Sequence, residues 1–108
     1  MSVGVIIEHH VRPGSREQVH AIWDQLLRPA IAANVEHEAY SYMYDIEDVD
    51  VIRAFQQYID AEAASRFLST DAYAAYLVAV EHLLVGPPTV TQTDIIWSKP
   101  RELSRRQT

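Results

Sequence analysis

The chain of 108 residues contains no cysteine. Disulfides, thiol nucleophiles and thiolate metal sites are therefore excluded. No apolar run approaches the roughly 20 residues of a membrane-spanning helix. The first ten residues, MSVGVIIEHH, carry neither a basic leader nor a cleavage motif, so a cytoplasmic location is the expectation. There is no phosphate-binding loop, no GxSxG and no dinucleotide fingerprint. Positive charge is short: nine Lys and Arg stand against fifteen Asp and Glu, for a net charge of −6. That balance disfavours nucleic acid as a partner. The basic residues near the end, Lys99, Arg101, Arg105 and Arg106, read as a local solvated tail over residues 100–108, behind one domain over residues 1–99.

What is present is ordinary for a globular chain, with 48% hydrophobic and 22% charged residues. A domain of this size buries only about two-thirds of its unfolded surface, and self-association would relieve the shortage. Val3 to Val11 is rich in β-branched residues and predicts a strand. Val3, Val5, Ile7 and His9 fall on one face, and Gly4, Ile6, Glu8 and His10 on the other. Arg12-Pro13-Gly14 predicts a turn, after which Ser15 is placed to cap a helix with Gln18 as its capping-box partner. The helix carries the stripe Val19, Ile22, Trp23, Leu26, Leu27, Ala30 and Ile31, with Pro29 set to kink or end it and Asn34 as a stop. Tyr40, Tyr42, Tyr44 and Ile46 alternate with Ala39, Ser41, Met43 and Asp45 and predict a second strand over Glu38 to Ile46.

The acidic Glu47 to Asp50 predicts a hairpin into a third strand, Val51 to Ile59. Asp60 then caps a short helix ending near Leu68. Ser69 or Thr70 caps a longer one that runs to about Leu84 and buries Tyr73, Tyr76, Leu77, Val80 and Leu84. Gly86-Pro87-Pro88 stops it, and Thr89 to Trp97 predicts the last strand. The order β-α-β-β-α-α-β points to an α+β fold of the ferredoxin-like kind, one antiparallel sheet with helices on one face. The other face, with its large apolar side chains, calls for a second copy packed against it as a homodimer.

Candidate functional residues are few. His9 and His10 are neighbours on a strand and so point to opposite faces. Whichever faces the helices is the candidate base near neutral pH. His20, His37 and His82 are scattered without metal-ligand spacing, and no metal site is expected. The tyrosine ladder of the second strand suits sheet or interface packing, and aromatic stacking as an alternative. Trp23 and Trp97 are expected in the core or as walls of a pocket between sheet and helices.

The first strand leading into VRPGSREQ, the stretch YIDAEAASRFLSTDAYAAYL and the segment VGPPTV together resemble the antibiotic biosynthesis monooxygenase family of the dimeric α+β barrel superfamily. The resemblance covers about residues 3 to 98. It implies cofactor-independent oxygenation of a small phenol-, quinol- or anthrone-like aromatic, in which the substrate carbanion itself passes an electron to O₂. The protein then supplies a dry pocket, a proton acceptor and donors for the developing oxyanion. Many relatives carry Glu two residues before the aromatic that ends the third strand. Here Gln56 stands there, before Tyr58. Many carry His near the end of the short helix, where this chain has Phe67, and some carry Asn where this chain has Ala54.

On this basis His9, His10 and Gln56 are the expected catalytic residues, and Tyr58, Phe67, Trp23, Tyr73 and Trp97 the expected substrate-binding ones. Haem-degrading relatives ligate iron through a His on the long helix, at the position of Leu77, and carry Asn where this chain has Ile7, so haem degradation is not expected. A protein that binds an aromatic or other apolar molecule without turnover is the alternative reading.

Overall fold

The computed structural model describes residues 1–99, and the basic tail of residues 100–108 lies outside them. β-Branched and aromatic alternation produces the strands β1 (Val3–His10), β2 (His37–Tyr44), β3 (Val51–Tyr58) and β4 (Thr89–Asp94). They form one antiparallel sheet in the order β2-β3-β1-β4. β1 is central: Val5 lies opposite Gln56 of β3 on one side and Gln92 of β4 on the other. The helices are α1 (Arg16–Leu26), α2 (Arg28–Ala33), α3 (Ala61–Leu68) and α4 (Asp71–Val80), with a 3₁₀ turn over Glu81–Leu83. None is long and apolar enough to cross a membrane.

The core lies between one face of the sheet and these helices. Val3, Val5 and Ile7 of β1 and Ile52 and Tyr58 of β3 pack there against Val19, Trp23, Leu27, Ala63, Phe67, Tyr73, Tyr76 and Val80. Burying each such side chain contributes about 1.5–3 kcal/mol. Their alternation along β1 and β3 is thus what holds the sheet in register.

Four boundaries differ from the sequence reading, each for a local reason. The single helix expected from Ser15 to Asn34 is two, because Pro29 has no N–H to bond back into the preceding turn. The break falls at Leu27, which keeps an α-type backbone and still donates to Trp23 O at 2.9 Å, so the axis bends without a loop. Ser15 makes no side-chain cap, since its ψ of 0° is far from the extended conformation a cap requires. Its N–H instead closes the Pro13-Gly14 turn on Arg12 O at 3.0 Å. α4 gives way to the 3₁₀ turn after Val80, short of Leu84. β4 ends at Asp94, not Trp97, because its partner β1 begins at Val3.

The cap predicted at Asp60 forms, accepting from Ala63 N–H at 2.8 Å, and of the alternatives Ser69 and Thr70 it is Thr70 that caps the next helix, accepting from Tyr73 N–H at 3.3 Å. The acidic hairpin is tied down by Arg16, which donates to the carbonyls of Asp45, Asp48 and Val51. The opposite face of the sheet carries Ile6, Met43 and Phe55 beside a charged group in which Arg53 pairs with Glu8 and Asp45.

Candidate functional site

Between the sheet and the helices lies a cavity of ≈ 20 Å³, room for about one water. The sheet contributes Ile7 and His9 from β1, Tyr40 and Tyr42 from β2, and Ile52, Ala54 and Gln56 from β3. Trp23 and Leu27 come from the α1–α2 segment, Phe67 from α3, and Tyr73 and Tyr76 from α4. Strand alternation explains the sheet side, since every second residue of each strand points at the helices. Helical spacing explains Tyr73 and Tyr76, which lie three residues apart on one face of α4. Trp23 stacks on Tyr42 with ring centroids 4.1 Å apart, and its indole N–H donates to the Tyr40 hydroxyl at 3.2 Å.

The polar groups of the site are arranged in two sets. In the first, His9 is only 5% exposed, and its Nε2 lies 2.8 Å from the Tyr76 hydroxyl. Burial pulls its pKa down to about 4, so the ring is neutral at pH 7. His9 Nδ1 and the Tyr42 hydroxyl are buried without any hydrogen-bond partner among the described residues. In the second set, Asn34 Nδ2 donates to His37 Nδ1 at 2.9 Å, and His37 Nε2 faces Gln56 Oε1 at 3.4 Å. The Tyr58 hydroxyl also donates to Gln56 Oε1. With Oε1 committed to these donors, the Gln56 amide NH₂ is the group left for a ligand. Burial lowers the His37 pKa as well, and the bond to Gln56 partly opposes that.

The structure brings together five of the eight expected residues: His9, Gln56, Trp23, Phe67 and Tyr73 all line the cavity. Three are elsewhere. His10 lies on the opposite face of the sheet, where it pairs with Glu8 at 2.6 Å. That settles which of the two adjacent histidines faces the helices. Tyr58 is fully buried and does not line the cavity, and it meets the site through its hydrogen bond to Gln56 and its packing against His37 and Phe67. Trp97 is 76% exposed beyond the end of β4.

His37 and Tyr76 were not singled out from sequence as site residues. His37 belongs to the other face by simple alternation with Tyr40. A bulge in β2, between His37 and Ala39, shifts the phase and turns its ring toward Tyr58 and Phe67, at centroid distances of 4.4 and 4.6 Å. Tyr76 reads as core on helical spacing, and only its contact with His9 gives it a polar role.

Two further concavities flank the site. A surface groove of ≈ 280 Å³ runs between α2, α3 and α4, and Phe67 lines both this groove and the internal cavity. A separate groove of ≈ 490 Å³ is lined by Leu77, Val78, Glu81, Leu84 and Gly86–Pro88. Leu77, at the position where haem-degrading relatives carry their ligand, lines that groove and not the cavity. The acidic hairpin lines none of the three. Among the described residues, no three His, Cys, Asp or Glu side chains come together as a metal-binding group.

Known proteins place this arrangement in context. The chain is similar in structure to Rv0793 of Mycobacterium tuberculosis, with a TM-score of 0.80 and 23% identity over 93% of this chain and 100% of that one. It is similar to a candidate antibiotic biosynthesis monooxygenase of Caulobacter crescentus, with a TM-score of 0.81 and 18% identity over 89% and 91% of the two chains. It is also similar to PA3566 of Pseudomonas aeruginosa, with a TM-score of 0.76 and 20% identity over 89% and 95%. At such identities the likeness speaks for the fold alone. No functionally curated protein is matched at a significant level. Residues 2–78 match the antibiotic biosynthesis monooxygenase family itself, and the chain belongs to that family.

Proposed function

We propose that this protein is a monooxygenase that oxidises a small aromatic of the phenol, quinol or anthrone kind without a cofactor. The observation that carries the reading is His9: a buried, neutral imidazole with an unpartnered Nδ1, in a cavity whose other walls, Gln56 apart, are aromatic and aliphatic side chains. Family membership supports the reaction class. In an anthrone-like substrate, loss of a proton leaves a carbanion that gives one electron to O₂. The radical pair closes to a peroxide, and O–O cleavage releases water, so that CH₂ + O₂ becomes C=O + H₂O. The substrate is the reductant and O₂ the oxidant. The protein's part is to exclude water and to hold the ionising oxygen at His9, with the Gln56 amide orienting it.

A cavity of ≈ 20 Å³ does not hold a two-ring aromatic, so binding requires the site to open. Phe67 lines both the cavity and the surface groove, so its side chain is the one whose rotation would join the two. The same reading includes a homodimer, in which the sheet faces bearing Ile6, Met43 and Phe55 pack on each other about a twofold axis.

A second reading, binding without turnover, is favoured by one observation: the cavity has no carboxylate, and a histidine held near pKa 4 is a weak proton acceptor. Oxygen uptake by the purified protein with dihydroxynaphthalenes and anthrones, with and without chelator, separates the two. The monooxygenase predicts chelator-insensitive uptake above autoxidation that falls in His9→Gln. Saturable binding with no uptake moves the protein to the second reading.

A further inference from the structure

The cavity-lining side chains carry no carboxylate. Their polar groups are the hydroxyls of Tyr40, Tyr42, Tyr73 and Tyr76, the Trp23 indole N–H, the Gln56 amide and the His9 ring. Of these only the imidazole offers a strong acceptor nitrogen, so its tautomer decides what the site presents to a ligand.

Hydrogen-bond accounting favours one tautomer. His9 Nε2 lies 2.8 Å from the Tyr76 hydroxyl, and the bonds among the described residues give that hydroxyl no other partner. Suppose the proton is on Nε2. It then donates to Tyr76, which leaves the Tyr76 proton without an acceptor and Nδ1 without a donor. Suppose instead that the proton is on Nδ1. Tyr76 then donates to Nε2, and Nδ1–H is the one group left over. Each buried unpaired group carries its full desolvation penalty, so the arrangement with one is preferred to the arrangement with two. Tyr76 itself is 2% exposed, so bulk solvent does not reach its hydroxyl. The Tyr42 hydroxyl is a second buried group without a partner on the same cavity. Gln56 adds its NH₂, because its Oε1 is held by Tyr58 and faces His37.

We infer that the cavity is a donor seat, in which His9 Nδ1–H and the Tyr42 hydroxyl receive an acceptor oxygen of a planar aromatic ligand, a phenolate or a quinone carbonyl. The inference rests on the site chosen for the monooxygenase, but not on turnover there. It replaces the role expected for His9 from sequence: the ring donates to the substrate oxygen and does not take its proton. Such a seat favours the substrate's anion over the neutral phenol, because the ionised oxygen is the stronger acceptor. A quinone product has carbonyl acceptors in place of hydroxyls, so it occupies the same seat and inhibits.

Two measurements test this on the intact protein. Long-range ¹H–¹⁵N spectra of the imidazoles, with His9 assigned by its loss in His9→Gln, read the tautomer directly. The expected result is a neutral ring protonated at Nδ1, and protonation at Nε2 overturns the inference. The second measurement is binding of 1,4-naphthoquinone against naphthalene, followed by quenching of Trp23 fluorescence in a Trp97→Phe background. The absence of cysteine removes thiol addition to the quinone as a complication. The wild type is expected to prefer the quinone at least tenfold.

Tyr42→Phe is expected to raise Tm, because it removes a buried unpaired hydroxyl, while lowering the quinone preference at least fivefold. An unchanged preference in Tyr42→Phe, or none in the wild type, overturns the ligand class. Quinone preference without oxygen uptake leaves this inference standing and removes the monooxygenase.

Discussion

His9 shows how much one buried side chain decides. It is neutral because the fold strips its water and offers no carboxylate in return. Its pKa is 6.5 when unshifted and about 4 in the folded protein. Between those values the unfolded chain binds a proton that the folded chain does not. Stability is therefore full above about pH 6.5 and falls as pH drops toward 4, by about 3 kcal/mol in all. His37, also lowered by burial, acts in the same direction. The stability contributed by the hydrogen-bonded carboxylates of Glu8 and Glu38 is present above their ordinary value of 4.5 and is lost only below it, so the loss between pH 6.5 and 5 belongs to the imidazoles. Urea unfolding should show about 2 kcal/mol lost from pH 7 to pH 5, and His9→Gln should flatten most of that slope. A wild-type curve level across this range would contradict the buried neutral ring.

At the scale of the element, caps and breaks follow from chemistry that is written locally, but a capping residue works only if its backbone is extended. Asp60 meets that condition, with φ −162° and ψ 178°, and bonds Ala63 N–H. Ser15 does not, and is used by the preceding turn instead. Asp60→Ala should therefore cost about 1 kcal/mol, whereas Ser15→Ala, at an apparently equivalent position, should stay within about 0.5 kcal/mol of wild type by thermal or urea unfolding. Equal losses in the two variants would refute the distinction. The β2 bulge has a larger consequence, because it moves His37 from the outer face of the sheet to the Gln56 side. Nothing in HEAYSYMY marks the extra residue. A one-residue slip exchanges the faces of a strand, so His37 could not be placed from alternation alone.

At the scale of the molecule, the helices cover one face of the sheet and leave the other to solvent. Ile6 is 37% and Met43 41% exposed on that face, next to Phe55 and to the Arg53 pairs. All six residues of β4 are exposed. A dimer that packs these faces together buries them, and one charge placed in the middle should prevent it. Light scattering should give twice the chain mass for the wild type and the single-chain mass for Ile6→Glu, with the circular dichroism of the helices retained. A wild-type monomer at micromolar concentration would rule out the paired sheet.

The sequence by itself determined the fold class, the strand order along the chain, the Asp60 cap and a helix interruption near Pro29, because each depends on periodicity or on chemistry within a few residues, while the next cap stayed open between Ser69 and Thr70. It also singled out His9, Gln56, Trp23, Phe67 and Tyr73, all of which line the cavity. Only the tertiary structure decided which histidine faces the helices, that Tyr58 bonds Gln56 instead of lining the cavity, that Trp97 lies outside, and that Tyr76 meets His9. Those facts depend on strand register, on a bulge and on contacts such as His9–Tyr76, which join residues 67 positions apart. Burial and hydrogen-bond partners are properties of packed surfaces, and a linear pattern of residue types does not contain them.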